Sequence, residues 1–260
     1  MRGRHLPDGE ADAGRSAPVD AAVRAHSLRS PTEAVMVIEV TPHEIVLCKP
    51  PGLASELPRD PAADSLVTRL SALGYSDVRL VHRLDSPACG LMIVARTAEA
   101  AAHYFAEIAA RRWQKLYVAA VSAPAAQVRA LIGPHKAYLS TEGRRATVVR
   151  AGGKPSFLTL VHVAEAAAGQ SHVLVHLHTG RFHQIRVMLA HLGAPLVGDD
   201  VYGGSTDGRF YLEQAMLGAR PFGSSQPRLW RAPSHNGRPA WADDLARAID
   251  AQERTLLNEA

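Results

Sequence analysis

Three short stretches of the chain bring together side chains that could do chemistry. In Val81-His82-Arg83-Leu84-Asp85, followed by Ser86-Pro87-Ala88-Cys89-Gly90-Leu91, a carboxylate sits in a polar loop two residues after an arginine. Held in a cleft, such a group is a nucleophile or a base; left at the surface, it is an ordinary ion pair. In Lys115-Leu116-Tyr117, strand alternation puts an ammonium and a phenol on one face, aimed together into a site or into solvent. In His178-Thr179-Gly180-Arg181-Phe182-His183-Gln184-Ile185-Arg186, two arginines, a histidine and a glutamine gather where a loop enters a helix. Free N–H groups at a helix start favour an anion or phosphate, and an exposed basic helix face has the same composition.

These groups need elements to hold them. The runs VMVIEV and EIVLCK read as strands, and Lys49-Pro50-Pro51-Gly52 ends the second. Asp64 is expected to cap a helix with Leu66, Leu70 and Leu73 on one face, closed by Gly74. Leu91–Arg96 reads as a buried strand, Thr97 opens an Ala-rich helix to about Arg112, and Gln114–Ser122 is a strand. Further strands are expected at Ala146–Ala151, Phe157–Ala164 and His172–Leu177, with turns at Gly152-Gly153 and Ala168-Gly169. A helix with Ile185, Met188, Leu189 and Leu192 on one face then stops at Gly193 and Pro195. Helices interspersed among strands without strict alternation predict an α+β fold on a mixed, largely antiparallel sheet. Gly198-Asp199-Asp200 reads as a turn.

Composition narrows the class. At 260 residues and 47% hydrophobic content, the chain has material for a real core. Two cysteines, Cys48 and Cys89, cannot build a disulfide framework, which favours a reducing cytoplasm. No apolar run approaches the ~18 to 20 residues of a membrane span, and the first residues lack the apolar stretch of a signal peptide. Residues 1–33 read as a mobile tail, 34–250 as the folded domain and 251–260 as a C-terminal tail. The net charge of +4 is a mild pointer to nucleic acid, and the tail contributes little of it, with five arginines against four acids in residues 1–30.

Taken in order, HRLDxxxxGL, KxY about 30 residues on, and TGRxHQIRxxLAxLGxPLxGDxxYG resemble the RluA-like pseudouridine synthases of ribosomal and transfer RNA. The likeness runs from about Val35 to Leu245 and takes in KPPGL at 49–53 and the stretch from Tyr211 to Pro221. It departs at Ala88-Cys89, where members usually carry Thr-Ser, at Met188 in place of a common histidine, and at Glu213 or Gln214 in place of another. The small RNA-binding domain that some members carry in front is not expected in residues 1–33. The resemblance implies a pseudouridine synthase fold, with helices flanking the sheet around an RNA-binding cleft. It implies an isomerase that needs no cofactor and no metal. Asp85 is then the essential carboxylate, Arg186 its buried partner, and Tyr117 the aromatic that stacks on uracil and assists at carbon 5. Arg83 is implied to enter the RNA stack where the target leaves, and Ile185 to wall the base. Lys115 and Arg181 are implied to bind substrate, with His183 and Gln184 ordering the loop or touching phosphate. His82 and Leu84 are expected to be structural. Whether the aspartate adds to sugar or base, or abstracts a sugar proton, is not written in the residue types. A catalytically silent RNA binder and a metal-dependent phosphoesterase built on the scattered His and Asp residues are the competing classes; a monomer is expected, since no heptad demands a partner.

Overall fold

The computed structural model describes residues 34–56, 64–166, 169–204, 208–235 and 238–258. The tail expected over 1–33 and Ala168 of one expected turn lie outside the described residues. In chain order the elements are β1 (Met36–Val40), β2 (Glu44–Lys49), α1 (Leu66–Ala72), β3 (Arg79–Leu80), β4 (Cys89–Ala95), α2 (Ala98–Ala109), β5 (Gln114–Val121), α3 (Ala125–Arg129), β6 (Gly133–Glu142), β7 (Arg145–Val149), β8 (Lys154–Glu165), β9 (Ser171–Leu177), α4 (Gln184–His191), β10 (Leu212–Ala219), β11 (Arg228–Arg231) and α5 (Asp243–Asn258).

The strands form one mixed sheet in the order β1-β2-β4-β10-β5-β9-β8-β6-β7, with β11 on β10 and β3 on β4. Every pairing is antiparallel except β10 with β4, which runs parallel through Glu213↔Cys89 and Gln214↔Gly90. The expected α+β class and mixed, largely antiparallel sheet are borne out. Alternation along the central strands sends one set of side chains to each face. On one face, Tyr117, Ala119, Val173 and Val175 pack with Leu66 and Leu70 of α1 and Ile185, Met188 and Leu189 of α4. On the other, Leu116, Val118, Leu174 and Met216 pack with Leu245, Ile249 and Leu256 of α5, and α2 covers β4 through Tyr104 and its neighbours.

Three local expectations need correction. The cap of α1 is Ser65, not Asp64: Ser65 Oγ accepts from the Thr68 N–H while Thr68 Oγ1 accepts from the Ser65 N–H. Asp64 instead pairs with Arg69. Leu73 is the half-exposed C-cap, outside the buried face; Gly74 follows at φ +90, and Tyr75 N–H bonds back to Leu70 O. Residues 251–258, expected as a tail, are the last turns of α5, because Leu256 continues the buried stripe begun by Leu245 and Ile249.

The parallel junction of β4 and β10 sits directly after the Asp85 loop. Gly90 holds φ +110, and a Cβ there would lie 2.5 Å from Gln214 O and 2.6 Å from Gln214 N. Left-handed strain and a clash with backbone act together at this position. Gly90→Ala is therefore expected to lower the unfolding free energy by about 3 kcal/mol or more. Urea melts check it, and a loss below about 1 kcal/mol contradicts the packing described.

Candidate active site

A cavity of about 520 Å³ opens beside β5, between the Asp85 loop and the segment entering α4, lined among others by Asp85, Lys115, Tyr117, Arg181, Ile185 and Arg186. The three stretches singled out in the sequence thus meet in one place. Arg83 stands at its exposed rim, 2.8 Å from Glu56 Oε2, with its guanidinium 6.0 Å from the Phe182 ring centre.

The Asp85 loop is held from outside by the Lys49–Ser55 turn. Lys49 is 1% exposed, and its ammonium donates to Pro50 O, Leu53 O at 2.7 Å and Ser86 O at 3.1 Å. Burial pushes the Lys49 pKa down to about 8, with the nearby Cys89 and Asp85 opposing the shift. Ser55 Oγ donates to Leu84 O and accepts from the Leu84 N–H, while Gly52 N–H donates to Ser86 O. The residues flanking Asp85 are thereby fixed on both sides. His82 orients the strand behind them: its Nε2 accepts from the Ile93 N–H at 3.0 Å, so the proton of the neutral ring sits on Nδ1. Burial, reinforced by Lys115, drives its pKa down to about 3.

Arg186 is 4% exposed and lies on the first turn of α4, facing inward. Its main partner is a residue that the sequence reading missed. Nε and Nη2 each donate at 2.8 Å to the two oxygens of Asp199, which is fully buried, and Nη1 reaches Asp85 Oδ2 at 3.4 Å. The expected Arg186–Asp85 pair exists, but as the looser arm of a three-member bridge. Burial disfavours the guanidinium charge; the bonds and field of Asp199, with Asp85, outweigh it and raise the pKa. Asp199 Oδ1 also accepts from the Val201 and Tyr202 N–H groups, which is the turn seen in the sequence and the reason it reads there as only a turn. The carboxylate behind it showed no signal beyond its place in the third motif.

The loop before α4 is ordered from within. Gln184 Oε1 accepts from Thr179 Oγ1 at 2.8 Å and from the Arg181 N–H, while its Nε2 donates to Phe157 O. His183 caps the helix at φ +53, stacked on Phe182 at 3.8 Å. Its Nδ1 meets the Tyr202 hydroxyl and its Nε2 lies 3.0 Å from Arg186 Nη1. Burial lowers its pKa, against the pull of Asp85. Both residues order the loop, and the helix face they open is a buried one.

Tyr117 is 6% exposed, and its hydroxyl donates to Gln214 Oε1. Burial, then the Asp85 charge, raises its pKa, so the group stays a phenol. Lys115, on the same face two residues earlier, has no carboxylate partner among the described residues. Burial and then Arg181 hold its pKa down to about 8. The floor of the cavity thus sets one guanidinium against two carboxylates, and its wall is cationic.

The mixed sheet thus carries a cleft lined by Tyr117, Asp85 and Arg186, the last two joined with Asp199 in a buried bridge. The RNA pseudouridylate synthase family model matches residues 43–191, and the chain belongs to that family. The likeness to RluA-like members read from the motifs is borne out. Ribosomal large subunit pseudouridine synthase D of Pseudomonas aeruginosa is 38% identical over 174 residues, covering 62% of this chain and 51% of that protein. An uncharacterized RNA pseudouridine synthase of Chloroflexus aurantiacus is 33% identical over 190 residues, covering 70% and 59% respectively. The chain spans about half the length of such curated relatives. Human RNA pseudouridylate synthase domain containing 1 shares the fold at a TM-score of 0.66 with 23% identity, over 86% of this chain and 98% of that one.

Removing one end of the Arg186–Asp199 fork strands a buried guanidinium. Asp199→Ala is expected to destabilise the fold by about 3 to 5 kcal/mol. The urea midpoint reports it, and a midpoint matching the unaltered protein would mean the fork carries no structural weight.

Proposed function

We propose that the chain is an RNA pseudouridine synthase that isomerises uridine in ribosomal or transfer RNA, with large-subunit ribosomal RNA favoured by the names of its relatives. The observation that carries this reading is the convergence of Asp85, Arg186 and Tyr117 on one cavity from three separate stretches of chain. The reaction breaks the N1–C1′ bond of uridine, turns the uracil, joins C5 to C1′, removes the C5 proton and leaves a proton on N1. Its atoms balance without any added reagent, so no cofactor or metal enters the proposal.

Each residue has a part that its surroundings support. Asp85 supplies the carboxylate, and Arg186 fixes its direction from behind through the hydrogen bond at 3.4 Å. Tyr117 offers its ring for stacking, and its hydroxyl, neutral and donating to Gln214, keeps an oxygen lone pair that orients the water carrying the C5 proton away to N1. Ile185, 4% exposed beside Arg186, walls the base. Arg83 replaces the target uridine in the RNA stack. Its present tie to Glu56 joins two exposed groups, worth at most ~1 kcal/mol and readily exchanged for RNA. Lys115 and Arg181 take phosphate. We further infer a monomeric, cytoplasmic enzyme whose catalytic domain begins at residue 34; the free thiols of Cys48 and Cys89 fit a reducing compartment.

The direct test uses RNA from cells lacking the gene, incubated with the protein or with Asp85→Asn, and maps pseudouridine by carbodiimide primer extension. Sites are expected with the first and none with the second. No site with either sinks the synthase reading, and full activity of the variant sinks the role of Asp85. A pH series supplies a second test. Above about pH 8 the Lys115 ammonium of the free protein loses its proton, so a phosphate seated beside it must bind with proton uptake. RNA affinity should fall between pH 7 and 9, and Lys115→Gln should flatten that fall; an equal fall in the variant argues against phosphate at Lys115.

A further inference from the structure

A set of cations running outward from the edge of the cleft lies over aromatic rings. Arg111 follows the end of α2 at φ +57, a left-handed conformation that costs a non-glycine residue and turns its side chain toward β8. Its guanidinium carbon stands 5.7 Å from the centre of the Phe157 ring. Lys136 is the cross-strand partner of Phe157, and its ammonium lies 5.7 Å from that ring and 5.2 Å from Tyr138. Lys136 and Tyr138 are exposed and Phe157 is half-buried. No carboxylate pairs with Arg111 or Lys136 among the described residues; the same holds for Arg144 and Arg150, but Arg111 and Lys136 both lie over the one Phe157 ring. Cations left without acids beside exposed rings are complementary to a polyanion that also carries flat bases.

The surface is continuous with the cleft. Arg111 lines the cavity as well as covering Phe157. Phe157 is fastened to the loop before α4 on both sides of its peptide, its N–H donating to Thr179 Oγ1 and its carbonyl accepting from Gln184 Nε2. His178, at the cavity rim, shares a bond with Thr159 two residues further along β8. A strand of RNA leaving the cavity past Arg111 therefore meets Phe157, Lys136 and Tyr138 next.

We propose that Arg111, Phe157, Lys136 and Tyr138 form a stacking platform, running from the cavity edge at Arg111 onto the sheet face, that takes unpaired nucleotides flanking the target uridine. The proposal rests on RNA being the substrate and specifies what part of it is held here: single-stranded bases, read by stacking and charge. Stacking tolerates any base, so the platform adds affinity and sets how the strand leaves the cleft, with little sequence preference.

The test is made on the full chain carrying Asp85→Asn, which removes turnover from the measurement. Fluorescence anisotropy compares a labelled 12-residue oligouridylate with an abasic oligomer of the same length. Tighter binding of the oligouridylate is expected, with Tyr138→Ala weakening it roughly 5- to 100-fold and leaving the abasic oligomer unaffected. Lys136→Gln should reduce the slope of log affinity against log salt by about 0.7 for both oligomers. Equal binding of the two oligomers, no binding of oligouridylate, or an unchanged affinity in Tyr138→Ala overturns the platform. Tyr138 is a surface residue, so the variant folds, and circular dichroism verifies it. Because anisotropy does not depend on isomerisation, a platform that fails while pseudouridine is still made, or one that holds when none is made, separates this inference from the synthase reading.

Discussion

Arg186 and Asp199 form a buried ion pair at the floor of the cavity, and the geometry around it follows from their fork. Two parallel hydrogen bonds fix the guanidinium plane, and Nη1, shared with His183 Nε2, is the arm that reaches Asp85. The same carboxylate accepts two backbone N–H groups of the turn after it, so the fork also fixes the chain beyond α4. Buried ion pairs add little net stability compared with well-packed apolar groups. What this one provides is direction, because a lysine or a single-bonded arginine at the same place would leave Asp85 free to rotate.

The basic residues divide into two populations with different work. Lys49, behind the Asp85 loop, and Arg186, at the floor, are buried and satisfied by carbonyls or carboxylates, and they serve to hold loops still. Along the wall and outside it, Lys115, Arg111 and Lys136 have no carboxylate partner among the described residues. A net charge of +4 does not by itself locate these cations, since some surface arginines, such as Arg129, Arg228 and Arg231, are paired with acids. At the cleft and on the sheet face beside it, an RNA backbone would meet Lys115, Arg111 and Lys136 with no acid beside them.

Much of this was legible in the residues. Strand periodicity, the Thr97 cap and the Gly193 stop gave the elements around the cleft, and the family motifs gave Asp85, Tyr117 and Arg186. Asp199 was not, because an acid in a Gly-Asp-Asp sequence satisfies turn chemistry by itself, and nothing local shows that both its oxygens face a guanidinium 13 residues earlier. β6 and β10 were missed for a related reason. β6 alternates with small and polar residues, and β10 is buried throughout, so neither shows the contrast of a half-exposed strand. Ser65 displaced Asp64 as cap because Thr68 completes a reciprocal pair with it, a choice between adjacent good cap formers that only geometry decides. The helical end of the chain looked like a tail because Leu256 is seven residues from the previous buried position, Ile249.

The central claim, that the fork at Arg186 aims Asp85 at the nucleotide, is tested most directly by Arg186→Lys. This variant keeps the charge and loses the fork. Single-turnover release of tritium from RNA labelled at carbon 5 of uridine, measured beside RNA affinity, separates aim from binding. The account predicts a loss of turnover of about 100-fold or more, as expected when a reacting group is misplaced by about 1 Å, with affinity changed less than about threefold. Tritium release at the unaltered rate would contradict it.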